Sequence, residues 1–276
     1  MSVELALEDV VFDYPGGTRA LAGVDLRIEP GARLAIVGQN GSGKSTLVRH
    51  LNGLLRPTRG RVLVGGRDAR QRHIADLART VGLAFQDPDR QIFAGRVRAE
   101  VAFGPRNLGR SGPELDEAVA EALETVGLAD ELDTNPYDLG YSRRKLLALA
   151  SVLAMRTPVV VLDEPTTGQD ARGVARVQAI VERLTGEGRT VIGISHDMRF
   201  VAETFARVVV MRAGRVVLDG PPETVFEAAA WPALASTYLE PPLAARVGAR
   251  LGLGSTPRVG SLVAALRGRM ADSSRG

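Results

Sequence analysis

The fold of this chain is decided by one short stretch of sequence, Gly38-Gln39-Asn40-Gly41-Ser42-Gly43-Lys44-Ser45-Thr46. It matches the pattern G-x-x-x-x-G-K-S/T in full, with an apolar strand predicted before it and an amphipathic helix after it. Glycines let the backbone fold around phosphates with several N–H groups pointing inward, and the helix adds its positive N-terminal end. Lys44 is expected to reach the β- and γ-phosphates of a nucleotide, and the Ser45 hydroxyl to ligate Mg²⁺. The full pattern in this context predicts a phosphate site rather than an ordinary strand-to-helix turn.

A second group of candidate residues follows an apolar strand predicted at Val159–Leu162. The strand ends in Asp163 and Glu164, at the carboxyl end where ligands bind in open α/β sheets. We expect Asp163 to hold Mg²⁺ or its waters, and Glu164 to polarise the attacking water. Two acids after a strand, taken by themselves, are equally consistent with a catalytic site and with a solvated strand end. Combined with the phosphate loop, they predict nucleotide hydrolysis.

Composition excludes several classes of protein. The hydrophobic fraction of 45% and the charged fraction of 24% are those of soluble globular proteins. No apolar run approaches the roughly 18–20 residues that span a bilayer, and no secretory signal is visible. The absence of cysteine excludes disulfides and thiol metal sites. A net charge of +3 is too small to predict nucleic-acid binding. We therefore expect a cytoplasmic protein with no nucleic-acid partner.

Lysine is rare in this chain. Only Lys44 and Lys145 among its 35 basic residues are lysines, and a GC-rich coding bias accounts for the excess of arginine. Lysine then marks positions where a compact ammonium is needed in place of a planar guanidinium. Lys44 fits this interpretation, because it lies in the glycine loop.

The order of the predicted elements indicates an α/β fold. Alternating apolar and polar residues over the first thirty positions predict antiparallel strands, and helices follow between about residues 87 and 157. Three apolar strands come next, with a helix between the first two, which argues for a parallel sheet. Beyond Glu223 the chain is predicted to be helical at 243–251 and 262–266 and loose at its last few residues.

These motifs together resemble those of the ABC ATPases over about residues 3–225. Pro165–Asp170 resembles the family's D-loop, which ends in Asp170, and Ile192–Asp197 resembles its switch strand. The resemblance implies that His196 senses the γ-phosphate of ATP. It also implies a P-loop NTPase fold: a RecA-like parallel sheet core, an N-terminal antiparallel β subdomain and an inserted helical subdomain at about 87–157. This ATPase domain would cover 1–225, and 226–276 would form a C-terminal helical extension.

Two further site residues come from the resemblance alone. Phe85–Pro88 resembles the family's Q-loop, which implies that Gln86 contacts Mg²⁺ or the attacking water and couples to the membrane partner. Tyr14 stands where the family places the aromatic ring that stacks on adenine. A core or turn aromatic is the alternative interpretation of Tyr14.

More specific wording resembles the ATPases of energy-coupling-factor importers, which serve vitamins or cobalt and nickel. It lies in Phe85–Phe93 and Glu100–Gly109. This resemblance implies ATP and Mg²⁺ as cofactors, a transmembrane coupling protein, a substrate-binding membrane protein, and a peripheral position on the cytoplasmic face of the membrane. The segment around Gln86–Phe93 would face the coupling protein.

One motif departs from the family pattern. Where the family has L-S-G-G-Q, this chain has Leu139-Gly140-Tyr141-Ser142-Arg143. Gly140 removes a hydroxyl that would bond a γ-phosphate, and Ser142 adds a side chain where phosphate approaches the backbone. Ser142 is instead a candidate cap for the following helix. Cations in the first turn of that helix oppose its dipole, and an acidic neighbour would offset this effect. An equal alternative is that these cations reflect the general arginine bias and lie on a solvated face.

The signature acts across a dimer in this family, so the resemblance implies a second ABC ATPase subunit, identical or different. With a different partner that has a standard signature, the site of this chain is complete and the partner's site is the weak one. Restoring Gly140→Ser and Ser142→Gly is then predicted to raise turnover. Two alternatives stay open: a degenerate subunit that binds ATP and only regulates, and a soluble ABC ATPase acting on DNA or ribosomes.

Overall fold

Ten strands and eleven α-helices lie along residues 3–273, the part of the chain that the computed structural model describes. The strands are β1 (Leu5–Asp13), β2 (Arg19–Ile28), β3 (Arg33–Val37), β4 (Arg59–Val64), β5 (Arg67–Asp68), β6 (Val81–Ala84), β7 (Val159–Asp163), β8 (Thr190–Ile194), β9 (Arg207–Arg212) and β10 (Arg215–Gly220). The helices are α1 (Lys44–Leu51), α2 (Ile74–Ala78), α3 (Val97–Asn107), α4 (Gly112–Val126), α5 (Tyr141–Ala154), α6 (Ala171–Gly186), α7 (Met198–Thr204), α8 (Pro222–Val225), α9 (Trp231–Ala235), α10 (Leu243–Arg250) and α11 (Val259–Ser273).

The N-terminal strands form an antiparallel sheet in the order β2-β1-β4-β5. Leu5 and Leu7 of β1 are buried, and residues on the two neighbouring strands opposite Leu5 are Ile28 and Val64. Because Leu5 and Leu7 occupy alternate positions of β1, one face of the sheet packs against the core, as the alternation in the sequence predicted.

The remaining six strands form a mixed sheet in the order β10-β9-β3-β8-β7-β6. All pairs in it are parallel except β10 with β9. Every residue of β7 and β8 is buried, because helices cover both faces of a parallel sheet. The carboxyl ends of β3, β6, β7 and β8 therefore lie at one edge.

Three helices, α3, α4 and α5, follow β6 and precede β7 along the chain, where the sequence predicted a helical segment, and they pack against one another. The buried residues of α4 recur at helical spacing and include Leu115, Val119 and Leu123. Gly127 ends this helix with a φ of +70°, a left-handed conformation that glycine adopts readily.

The chain after β10 forms α8 to α11. Leu234 is buried in the main core and Trp231 packs against it, with its indole N–H donating to the Phe226 carbonyl at 3.0 Å. Part of the tail that the sequence predicted to be loose, 274–276, lies outside the described residues. Within residues 3–273, no helix combines the length and the apolarity that a bilayer span requires.

Candidate functional site

Four loops that follow parallel strands lie next to one another at one edge of the mixed sheet. Because β3, β8, β7 and β6 are consecutive and parallel, their carboxyl ends bring together residues that are far apart in sequence. The loops line a cavity of about 230 Å³. The predicted site residues around it are Asn40, Gly41, Gly43, Lys44, Ser45, Thr46, Gln86, Asp163 and Glu164.

The phosphate loop connects β3 to α1 in a conformation that requires glycine. Gly43 precedes α1 with a φ of +101°, and a Cβ there would lie 2.5 Å from the Ala20 carbonyl oxygen. The Lys44 ammonium bends back to donate to the carbonyls of Gly38 at 2.7 Å and Gln39 at 3.0 Å. Ser42 Oγ is buried with no hydrogen-bond partner among the described residues. The loop thus offers a buried ammonium and an unpaired hydroxyl to a phosphate.

Asp163 ends β7 as a buried carboxylate. Burial raises its pKa, although Ser45, Arg49, Lys44 and Lys145 each act to lower it. Its Oδ1 atom is buried and accepts no hydrogen bond from any described residue. An unpaired carboxylate oxygen beside a serine hydroxyl fits the oxygen ligands that Mg²⁺ prefers. The donor set therefore fits the metal that the sequence predicted.

Glu164 is held in a strained conformation. Its φ is +52°, in the left-handed region that residues other than glycine rarely adopt. Its N–H donates to the Ile194 carbonyl of β8 at 2.9 Å, and its Oε2 lies 2.7 Å from Nδ1 of His196. Burial raises the pKa of Glu164, and the neighbouring His196 opposes this rise. A buried carboxylate with a raised pKa, oriented by a histidine, is suited to accept a proton.

Tyr14 and Gln86 both lie beside residues of the phosphate loop. The Tyr14 hydroxyl shares a hydrogen bond of 3.0 Å with Oγ1 of Thr46, and the ring meets Phe12 edge-on at 4.9 Å. The exposed Gln86 lines the phosphate cavity and also a neighbouring cleft of about 670 Å³. Tyr141 lines the same cleft.

The signature segment stands outside the phosphate cavity of this chain. Leu139 is buried, while Gly140, Tyr141 and Arg143 are exposed. The cations that follow have acidic neighbours, since Arg143 pairs with Glu131 at 2.6 Å and Arg144 with Asp89 at 3.1 Å.

The prediction that Ser142 caps the signature helix was wrong. The N-cap of α5 is Gly140, and Ser142 lies within the first turn. Its backbone is already helical, so its hydroxyl turns sideways and donates to Gln169 Oε1 at 2.7 Å. Asp170 caps α6 by accepting a bond of 2.7 Å from the Gly173 N–H.

Sequence reasoning assigned no role to two residues that contact the site. Lys145 of α5 donates to the backbone carbonyl of Glu164, and its rarity as a lysine was the available signal. Arg49 of α1 lines the larger cleft beside Asp163 and acts to lower the pKa of that carboxyl. Nothing in the chain's composition distinguishes Arg49 from the other arginines.

Comparison with known proteins gives consistent relatives. The family model described as ABC transporter matches residues 21–167. A protein of Caldanaerobacter subterraneus subsp. tengcongensis is 42% identical over 91% of this chain, which spans 44% of that relative's length. An energy-coupling factor transporter ATP-binding protein of Methanothermobacter thermautotrophicus is 41% identical over 80% of this chain and 72% of its own. The structure of CbiO1 from Clostridium perfringens, described as part of an ABC transporter complex, matches with a TM-score of 0.74 and 35% identity, covering 84% of this chain and 93% of that one.

Proposed function

This chain belongs to the ABC transporter family, and from that membership we propose that it drives an importer of the energy-coupling-factor type. It is an ATP-binding and ATP-hydrolysing subunit, as members of the family are. ATP hydrolysis would be coupled to the import of a small substrate, such as a vitamin or a metal ion, through a membrane partner. The relative named as an energy-coupling factor transporter ATP-binding protein supports this class.

The observation that carries the proposal is the grouping of Lys44, Asp163, Glu164 and His196 around one cavity edge. Lys44 and the loop N–H groups would bind the β- and γ-phosphates. Mg²⁺, held by Ser45, Gln86 and Asp163, would supply charge neutralisation of those phosphates. Glu164 would accept the proton of the attacking water, and His196 would hold the Glu164 carboxylate and contact the γ-phosphate.

The partners are part of the proposal. We propose a membrane coupling protein that docks near Gln86–Phe93, a substrate-binding membrane protein, and a second ABC ATPase subunit, so that this chain lies at the cytoplasmic face of the membrane. Phe93 and Phe103 support this docking site, because they are 59% and 49% exposed and meet edge-on at 4.7 Å. An exposed aromatic pair beside the Q-loop is the kind of surface that marks an interaction site.

Catalysis is favoured over a purely regulatory role by the Glu164–His196 contact. A subunit that only clamps ATP needs neither a buried carboxylate of raised pKa nor a histidine bonded to it. In a dimer with a different ATPase subunit that has a standard signature, the altered signature would face the partner's nucleotide, and the site of this chain would be complete.

The proposal is tested by affinity purification of the tagged chain from its native membranes in mild detergent, followed by mass spectrometry and an ATPase assay. We expect a polytopic membrane protein and a second ATPase to co-purify, with ATP turnover that depends on Mg²⁺. Recovery of nucleic acid or ribosomal proteins in place of a membrane protein would contradict the transport assignment.

A further inference from the structure

Lys145 is the second of the two lysines in the chain, and the proposed reaction leaves it without a role. It lies in the second turn of α5, two residues after the signature segment, and only 6% of its surface is exposed. Long cationic side chains are rarely buried unless they are paired. A buried ammonium at this position therefore indicates a specific acceptor.

The acceptor is the backbone of the proposed catalytic base. The Lys145 ammonium donates a hydrogen bond to the carbonyl oxygen of Glu164. The Thr167 N–H lies 3.4 Å from the same oxygen, which is a weak bond by comparison. Burial lowers the pKa of Lys145, while the carboxylates of Glu164 and Asp163 act to raise it. The ammonium is thus bonded to the Glu164 carbonyl, and the charges of the two carboxylates favour its protonated form.

With this contact, both backbone polar groups of the strained Glu164 are hydrogen-bonded. The N–H of Glu164 is bound to Ile194 of β8, and its carbonyl is bound to Lys145 of α5. Between these two bonds the backbone keeps a φ of +52°, which a glutamate adopts only when its surroundings enforce it. The side chain then points to His196 at the edge of the phosphate cavity.

We propose that Lys145 is a positioning residue for ATP hydrolysis, holding the backbone of Glu164 so that its carboxylate stays aimed at the phosphate cavity. The inference rests on the ATPase function proposed above. Because Lys145 belongs to the helix that begins in the signature segment, the same contact links that helix to the catalytic carboxylate. A compact ammonium reaches a single carbonyl, whereas the planar guanidinium used elsewhere in this chain needs more room.

Two variants and a matched control test the inference in the complex assembled with its partner subunits. Lys145→Met removes the donor and keeps the length of the side chain, and Lys145→Gln restores a neutral N–H donor. Arg189→Met is the control, because Arg189 is a largely buried cation, 13% exposed, that donates to the Thr157 carbonyl at 2.8 Å. Thr157 and Arg189 lie before β7 and β8, at the sheet edge opposite Glu164.

The readouts are kcat and KM for ATP, the thermal midpoint, and hydrogen exchange of peptides covering residues 163–168. We expect Lys145→Met to lower kcat about tenfold or more and to leave KM unchanged within about twofold. The reason is that a small displacement of a catalytic group greatly lowers the rate of reaction. Exchange at 163–168 rises in this variant, and Lys145→Gln recovers part of kcat. Arg189→Met lowers the thermal midpoint and leaves kcat and that exchange unchanged.

The outcomes that overturn the inference are distinct from those that overturn the function. Wild-type kcat and exchange in Lys145→Met, or equal losses of kcat in Lys145→Met and Arg189→Met, would reject the positioning role alone. A wild-type complex without ATP turnover would reject the proposed function and the inference together.

Discussion

Ser142 and Gln169 exchange two hydrogen bonds. The Ser142 hydroxyl donates to Gln169 Oε1 at 2.7 Å, and Gln169 Nε2 donates to the Ser142 carbonyl at 3.0 Å. Ser142 belongs to the altered signature and Gln169 to the D-loop, so the side chain that breaks the family's signature pattern is bound within its own chain. Tyr141 adds to this contact, because a Cβ on Gly168 would lie 2.9 Å from its ring. The two loops are therefore joined before any second subunit binds.

The pair is expected to show energetic coupling. In a double-mutant cycle, Ser142→Ala and Gln169→Leu should each destabilise the chain, with a coupling energy of about 1 kcal/mol, because the bonds are neutral and partly buried. Urea unfolding of the four proteins measures it. Ser151→Ala is the matched control, since Ser151 lies on the same helix and bonds only its own helix at Leu147. Additive effects of Ser142→Ala and Gln169→Leu would show that the two side chains are not coupled.

Gly140→Ser is expected to raise ATP turnover in the assembled complex. Gly140 is exposed, its φ of −62° suits any residue, and a Cβ there meets no atom within 4 Å. The serine would restore the hydroxyl that faces the partner's nucleotide, and as an N-cap it should stabilise α5 by a few tenths of a kcal/mol. Steady-state turnover measures the effect, with Gly186→Ser, at an exposed helical position, as control. Adding Ser142→Gly should keep the gain in turnover but remove the hydrogen bond from the Ser142 hydroxyl to Gln169. Unchanged turnover would count against an asymmetric dimer.

Glu164→Gln is expected to lower kcat by about 10²- to 10⁴-fold, because a general base contributes on this scale. The affinity for ATP should be retained, since the phosphate loop supplies it. The variant should accumulate as an ATP-bound dimer, which size-exclusion chromatography with Mg²⁺ and ATP detects. Normal turnover would remove Glu164 from the role of base.

His50 predicts acid sensitivity of folding. Its ring is buried, Nδ1 lies 2.7 Å from the Thr46 carbonyl oxygen, and Nε2 has no partner among the described residues. Burial lowers the pKa of His50. The unfolded chain therefore binds a proton that the folded chain rejects, so stability falls as the pH drops below about 6.5.

The loss from His50 should approach about 1.4 kcal/mol per pH unit until the folded-state pKa is reached. Urea unfolding at pH 7.5 and 5.5 measures it. His50→Gln should reduce the difference between the two pH values, whereas replacement of the exposed His73 should not. Equal pH dependence in the wild type and His50→Gln would show that other groups dominate.

Much of the site could be predicted from the sequence because its parts are local. A phosphate loop is built from consecutive residues between a strand and a helix, so Gly38–Thr46 contains nearly all the chemistry that it needs. Asp163 and Glu164 follow a strand whose apolar run marks it as buried, and parallel strands deliver their ends to one edge. The resemblance supplied Gln86, His196 and Asp170, whose single-residue signals are weak.

Other features of the site depend on contacts between segments that are far apart in the sequence. The left-handed backbone of Glu164 depends on bonds from β8 and α5, and neither is encoded next to residue 164. Ser142 was predicted to cap its helix because serine does so by local preference, but the helix begins at Tyr141 and Gln169 lies within reach. Local sequence determined which residues carry the chemistry. The packing of α5 against the loops after β7 decided how Glu164 and the signature segment are held, because those hydrogen bonds join residues about twenty or more positions apart.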